Sequence, residues 1–175
     1  WALSKNPQYP DFSANTLQGG DCTNFVSQAL HTGGWQYTAS RDDKSTNTWY
    51  VAWNNAKRAF TNSQTWSTAA GFYRRIINDK YEKSVLPTSD LYSLRPGDIA
   101  FLTSGGKSHH TMIVTGYQEK PWWNPFASYG PLVSYHNGGV NPNTNMPNLP
   151  QQNILLTEVI ARSPNDTPVF AKVRS

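Results

Sequence analysis

Gly19-Gly20-Asp21-Cys22-Thr23-Asn24-Phe25-Val26-Ser27-Gln28-Ala29-Leu30 holds the only cysteine of the 175-residue chain. Phe25, Val26, Ala29 and Leu30 recur at i, i+1, i+4 and i+5, which is one face of a helix. Asp21 is a candidate N-cap, and Gly33 or Gly34 can end the helix near Thr32. Cys22 then falls in the first turn, where unpaired N–H groups and the helix dipole favour a thiolate. Such a position is expected to lower the thiol pKa into the range of about 3.5–7.5. A lone cysteine at a capped helix start reads as a nucleophile; the competing reading is an inert buried thiol.

Working outward, Asn6-Pro7 to Pro10-Asp11 is a Pro-rich lead-in after a helix tail, together covering residues 1–18. Beyond Thr32 a polar loop runs to Asn47. Trp49, Ala52, Trp53, Ala56 and Phe60 then predict a second helix, with its Trp and Phe side chains in the core. Ala69, Phe72, Ile76 and Ile77 predict a third over Ser67–Asp79. Arg95-Pro96-Gly97-Asp98 is a turn, with Asp98 a turn residue. Strands are expected at Ile99–Leu102, His110–Tyr117, Leu132–His136, Asn153–Ala161 and Val169–Val173. Helices first and about five strands second predict an α+β fold, with an antiparallel sheet packed on the helix of Cys22. The Asn/Pro-rich stretch 137–153 is a long loop, of the kind that often serves function, and its segment 138–150 is a candidate wall of a substrate groove.

The length fits one domain, 1–175. The abrupt Trp1-Ala2-Leu3 start suggests a domain excised from a longer protein, with targeting information elsewhere. Fifteen basic against eleven acidic residues give a net charge of +4. No dense basic run suggests nucleic acid, and no apolar run has membrane length. The mild basic balance favours anionic surroundings such as a bacterial wall polymer.

A cysteine nucleophile needs a base within hydrogen-bond reach, and the base needs an orienting group. Of the four histidines, His31 lies nine residues beyond Cys22 on the same helix, about 13 Å up the axis. His109 and His110 are neighbours on a strand and face opposite ways; Met112 and Val114 share the face of His110, and Thr111 and Ile113 that of His109. Both faces are apolar, so periodicity leaves the choice between the two open. Cys22, His110 and His136 could in principle hold zinc, but no His-x-x-x-His or Cys-x-x-Cys motif accompanies them, and no metal or other cofactor is expected.

The segment Gly20 to Gln28 resembles the nucleophile segment of the bacterial "putative amidase domain" family, itself similar to the NlpC-type and CHAP cell-wall hydrolases with a papain-like core. Pro96-Gly97-Asp98-Ile99-Ala100-Phe101, His110-Thr111-Met112-Ile113-Val114-Thr115-Gly116 and Ser134-Tyr135-His136-Asn137 resemble three further segments of that family in the same order. The resemblance covers residues 1 to about 140. It implies Cys22 as nucleophile, His110 as general base and acid on the face that meets the helix, and His136 as its orienting residue. Asn137 is the alternative orienter. Asp21, besides or instead of capping the helix, would hold the free amine of a wall peptide, and Asn24 would stand near the oxyanion. The implied activity is metal-independent cleavage of a peptidoglycan amide, outside the cell or at the wall, by a monomer, with an immunity protein as partner if the chain is a toxin. The rival readings are a non-catalytic wall-binding module that grips sugar or peptide through Trp122, Trp123 and Tyr129, and a papain-like transferase or deamidase.

Overall fold

The computed structural model describes residues 21–137 and 150–174. The lead-in 1–18, Gly19 and Gly20, and nearly all of the proposed groove wall 138–150 lie outside them. The fold is α+β. Helix α1 spans Cys22–Thr32, β1 Val51–Asn54, β2 Ala59–Asn62, α2 Gln64–Ser67 and α3 Ala69–Tyr73, which continues as a π-helical turn over Arg74–Asn78. The strands β3 (Val85–Thr88), β4 (Ile99–Ser104), β5 (Lys107–Gln118), β6 (Gly130–Tyr135), β7 (Gln151–Leu155) and β8 (Thr167–Val173) follow, with α4 (Leu156–Ala161) between the last two. They form one six-stranded sheet in the order β3-β8-β4-β5-β6-β7, and β1-β2 is a separate hairpin. All recorded pairings are antiparallel.

The sheet carries an apolar core on each side. On one, Phe25, Val26 and Leu30 of α1 pack with Trp49, Trp66 and Phe72 against Ile99, Phe101, Ile113 and Ala171. On the other, Leu156 and Val159 of α4 pack with Leu94 against Ala100, Leu102, Met112, Val114, Val133 and Phe170. Side-chain alternation along β4 and β5 sorts successive residues into the two cores. Strand β8 lies between β3 and β4, so the last residues of the chain supply an interior strand. Asp98 does more than turn the chain. Its Oδ2 accepts from the Arg95 N–H at 2.8 Å and its Oδ1 from the Val173 N–H at 2.7 Å, joining the turn to β8.

Three sequence expectations are corrected. Residues 49–60 form no helix: β1 and β2 pair through Trp53 and Phe60, whose rings meet edge to face at 5.2 Å. The run Trp49-Tyr50-Val51 favours strand, and Asn54-Asn55 favours a turn. Trp49 is core, as expected, but Trp53, although on the same side of the strand as buried Val51, is 54 % exposed farther out along the hairpin. The expected strand 153–161 divides into β7 and α4, since Leu156 and Val159, three apart, both face the second core. A sixth strand, β3, was hidden by Pro87, which a sheet tolerates at its edge, and among the described residues β3 pairs only with β8.

Candidate active site

Helix α1 begins at Cys22 because the first main-chain helical bond runs from the Phe25 N–H to the Asp21 carbonyl at 2.9 Å. The N–H groups of Cys22, Thr23 and Asn24 therefore precede the helical ladder. Asp21 holds the N-cap position, yet its side chain makes no capping hydrogen bond. That carboxylate is engaged elsewhere. Its Oδ2 lies 2.7 Å from Nδ1 of His136, and its Oδ1 accepts from Asn24 Nδ2 at 2.7 Å. This corrects the cap reading, and it makes Asp21 an orienting group for an imidazole.

His136 reaches Asp21 because of strand parity. Ser134 of β6 pairs with Ile113, whose side chain belongs to the core under α1. Two residues on, His136 falls on the same side. Its ring stacks on Phe25 at 4.2 Å between centroids, with an interplanar angle of 20°. Phe25 is one helical turn from Cys22, so the imidazole rests against the same end of α1 as the thiol. The acceptor at Nδ1 is Asp21; Asn137 follows half-buried at the strand end.

Cys22 is 3 % exposed. Its sulfur lies 3.7 Å from Thr23 Oγ1, and that hydroxyl lies 3.0 Å from Thr111 Oγ1 on β5. Burial pushes the thiol pKa up; the N–H groups of Thr111 and Thr23 and the Thr23 hydroxyl pull the other way, and the Asp21 charge adds a further rise. The expected depression is thus reversed: the helix start supplies donors, but desolvation of the thiolate outweighs them. Iodoacetamide should accordingly alkylate Cys22 slowly at neutral pH in the ligand-free protein. The rate should rise with pH beyond the ordinary thiol value of 9.0. A stopped-time mass measurement across pH checks this, and fast alkylation near pH 6 would refute the neutral thiol.

His110 stands elsewhere. Thr111 and Ile113 face α1, as the Thr23 contact and the shared core demonstrate. His110 pairs with Leu102, a member of the second core, and meets the Tyr135 ring edge-on at 4.7 Å. Its face of β5 therefore packs on the α4 side, contrary to the expectation that this face meets the Cys22 helix. Among the described residues, the recorded hydrogen bonds of Sγ run to Thr23 and Thr111, not to His110. His109 occupies a bulge between the pairs Leu102↔His110 and Thr103↔Ser108. Its Nε2 lies 2.9 Å from Asp166 Oδ1. His31 takes the last turn of α1, with Nδ1 2.7 Å from the Trp35 carbonyl.

Burial lowers the His110 pKa to about 4; the neighbouring His109 charge lowers it further and Asp166 opposes. A folded value below the unfolded 6.5 means that the unfolded chain binds more protons between pH 6.5 and 4. Stability tied to neutral His110 is present above pH 6.5 and is lost as pH falls toward 4, by about 3 kcal/mol at the limit. Urea unfolding at pH 7 and pH 4.5 should show a smaller acid loss in His110→Gln than in the wild type. Equal losses would refute it.

Asn24 is fully buried, and its side chain is engaged by two protein neighbours. Its Oδ1 accepts from Trp66 Nε1 at 2.7 Å while Nδ2 holds Asp21. Asn24→Ala would orphan the indole N–H and loosen the carboxylate, costing about 1–3 kcal/mol. Chemical denaturation checks the loss, and Asn24→Asp should not restore it because it removes the donor to Asp21. The Thr23–Thr111 contact is absent from the sequence reading, because no spacing signal pairs Thr23 with β5.

Among the described residues, no group of three or more His, Cys, Asp or Glu side chains is arranged to hold a metal ion. A family model described as "Putative amidase domain" matches residues 1–148, which include Cys22, His110 and His136. No curated protein and no solved structure matches the chain. The matched segment stops short of α4 and of β8.

Proposed function

Because the chain belongs to the "putative amidase domain" family, we propose that it is a cysteine amidase on a papain-like plan, with Cys22 as nucleophile, His136 as general base and acid, and Asp21 as the group that orients the imidazole. One observation carries this: the Asp21 carboxylate, on the residue that precedes Cys22, grips Nδ1 of His136 at 2.7 Å. With Nδ1–H donating to Asp21, the basic lone pair of the neutral ring is on Nε2.

The thiol starts protonated. Nε2 takes the proton as sulfur attacks the amide carbonyl, and the imidazolium is held by Asp21. The tetrahedral oxyanion draws on N–H groups at the start of α1; one such donor is worth about 2.7–4 kcal/mol elsewhere. The imidazolium returns its proton to the leaving amine, giving a thioester. Water, deprotonated by His136, then cleaves the thioester and restores the thiol. Each turnover consumes one amide and one water and yields one acid and one amine.

The substrate class we propose is an amide of bacterial peptidoglycan, either the muramoyl–L-alanine bond or a bond in the stem or cross-bridge peptide. The likeness of Gly20–Gln28 to wall-hydrolase nucleophile segments and the net charge of +4 support it. The setting would be the wall or its exterior. Mass analysis of purified sacculi after incubation identifies the bond cleaved. New muropeptides that have each gained one water are expected; no release from sacculi, and none from simple peptide amides, would overturn the reading.

A further inference from the structure

The connection between β5 and β6 and the 3-10 turn at Leu91–Ser93 build a second concave surface. A cavity of about 360 Å³ lies there, lined by Tyr92, Arg95, Tyr117 and Glu119. Tyr92 and Tyr129 stack with centroids 5.2 Å apart and an interplanar angle of 23°. Lys120 Nζ sits 5.4 Å from the Tyr129 ring centre. Gly130 has φ +133°, and a Cβ there would come within 3.4 Å of Tyr92 Cε1. A glycine at the start of β6 thus lets the Tyr92 ring lie against the strand.

This surface is separate from Cys22. Tyr117 is six residues along β5 from Thr111, roughly 20 Å. Tyr117 also pairs with Pro131, which shares the side of Val133 in the second core, so the cleft opens on the side away from α1.

We propose that this cleft is a saccharide-binding site that holds a glycan strand apart from the reaction centre. Tyrosine rings offer flat apolar faces with a negative quadrupole, suited to the C–H face of a pyranose, and a polar tip at the rim. Arg95 supplies donors and Glu119 acceptors for the hydroxyl edge. A cavity at the small end of the usual ligand range, in which two tyrosine rings stand beside a guanidinium and a carboxylate, suits one sugar ring. Trp122, 94 % exposed, and Trp123 lie in the same β5–β6 connection and offer further aromatic faces to solvent. That the glycan is an N-acetylated wall polymer rests on the amidase reading; saccharide chemistry rests on the cleft alone.

The test is calorimetric titration of Cys22→Ala protein with the N-acetylglucosamine tetramer. Binding at millimolar affinity or tighter is expected. Tyr92→Ala and Glu119→Gln should each weaken it by about tenfold or more with an unchanged melting midpoint. No binding, or equal binding by both variants, overturns the proposal. Retention on phosphatidylglycerol vesicles that Trp122→Ala abolishes, without saccharide binding, would make the surface a membrane contact and also overturn it. Tetramer binding, together with a wild-type protein that cleaves neither sacculi nor simple peptide amides, would sink the amidase reading and leave this one standing.

Discussion

Cys22→Ala is expected to lower amide hydrolysis by roughly 10⁴-fold or more, because no other thiol in the chain can form the thioester. The site is buried, so the substitution also deletes packing, at about 1–2 kcal/mol. Circular dichroism and urea unfolding beside the muropeptide assay separate the two effects. A folded Cys22→Ala protein with activity within tenfold of wild type would end the nucleophile assignment. Cys22→Ser is a second check. It keeps the shape next to Thr23 and should be nearly as inactive, since a hydroxyl is a far weaker nucleophile than sulfur with the same base.

The second large effect divides the histidines. His136→Ala should cost about 10²–10⁴-fold in kcat, the usual worth of a positioned general base. Asp21→Asn should cost up to roughly 10⁴-fold by offering Nδ1 the wrong tautomer partner while keeping the shape. His110→Gln, on the α4 side of the sheet, should leave kcat/KM essentially unchanged and act on acid stability alone. Steady-state kinetics of the three variants on one substrate decide the matter. If His110→Gln loses the activity and His136→Ala keeps it, the base belongs to β5 and the mechanism proposed above is wrong. The pH profile supplies a readout that a purely structural role would not move. Asp21→Asn should shift the lower limb of the kcat/KM profile, because the carboxylate stabilises the imidazolium.

The local pattern of the chain determined much of this. The spacing of Phe25, Val26, Ala29 and Leu30 specified α1 and placed Cys22 at its start, where the structure has it. Alternation and short apolar runs located β4, β5, β6 and β8. Motif resemblance implied Cys22 and His136 in one site, with His136 in the secondary role of orienter. Local pattern failed where two periods were both satisfied. Trp49 to Phe60 carries helical spacing and strand propensity together, and the hairpin won because Trp53 and Phe60 pair across it. In the same way Leu155 ends a strand and Leu156 opens a helix within one apolar run.

Three features belong to the tertiary structure alone. The contact between Asp21 and His136 joins residues 115 positions apart, and only the parity of β6 against α1 brings them together. The face of β5 that meets α1 could not be read from β5, since Thr111/Ile113 and Met112/Val114 are both compatible with a core; packing of Thr23 on Thr111 chose it and sent His110 to the opposite side. The charge state of Cys22 depended on a balance that no local pattern contains. The helix start is a sequence property and favours the thiolate, whereas burial between α1 and β5 is a property of the assembled fold and favours the thiol. Desolvation wins because it acts on the whole charge, while each N–H donor returns only part of what water would have supplied.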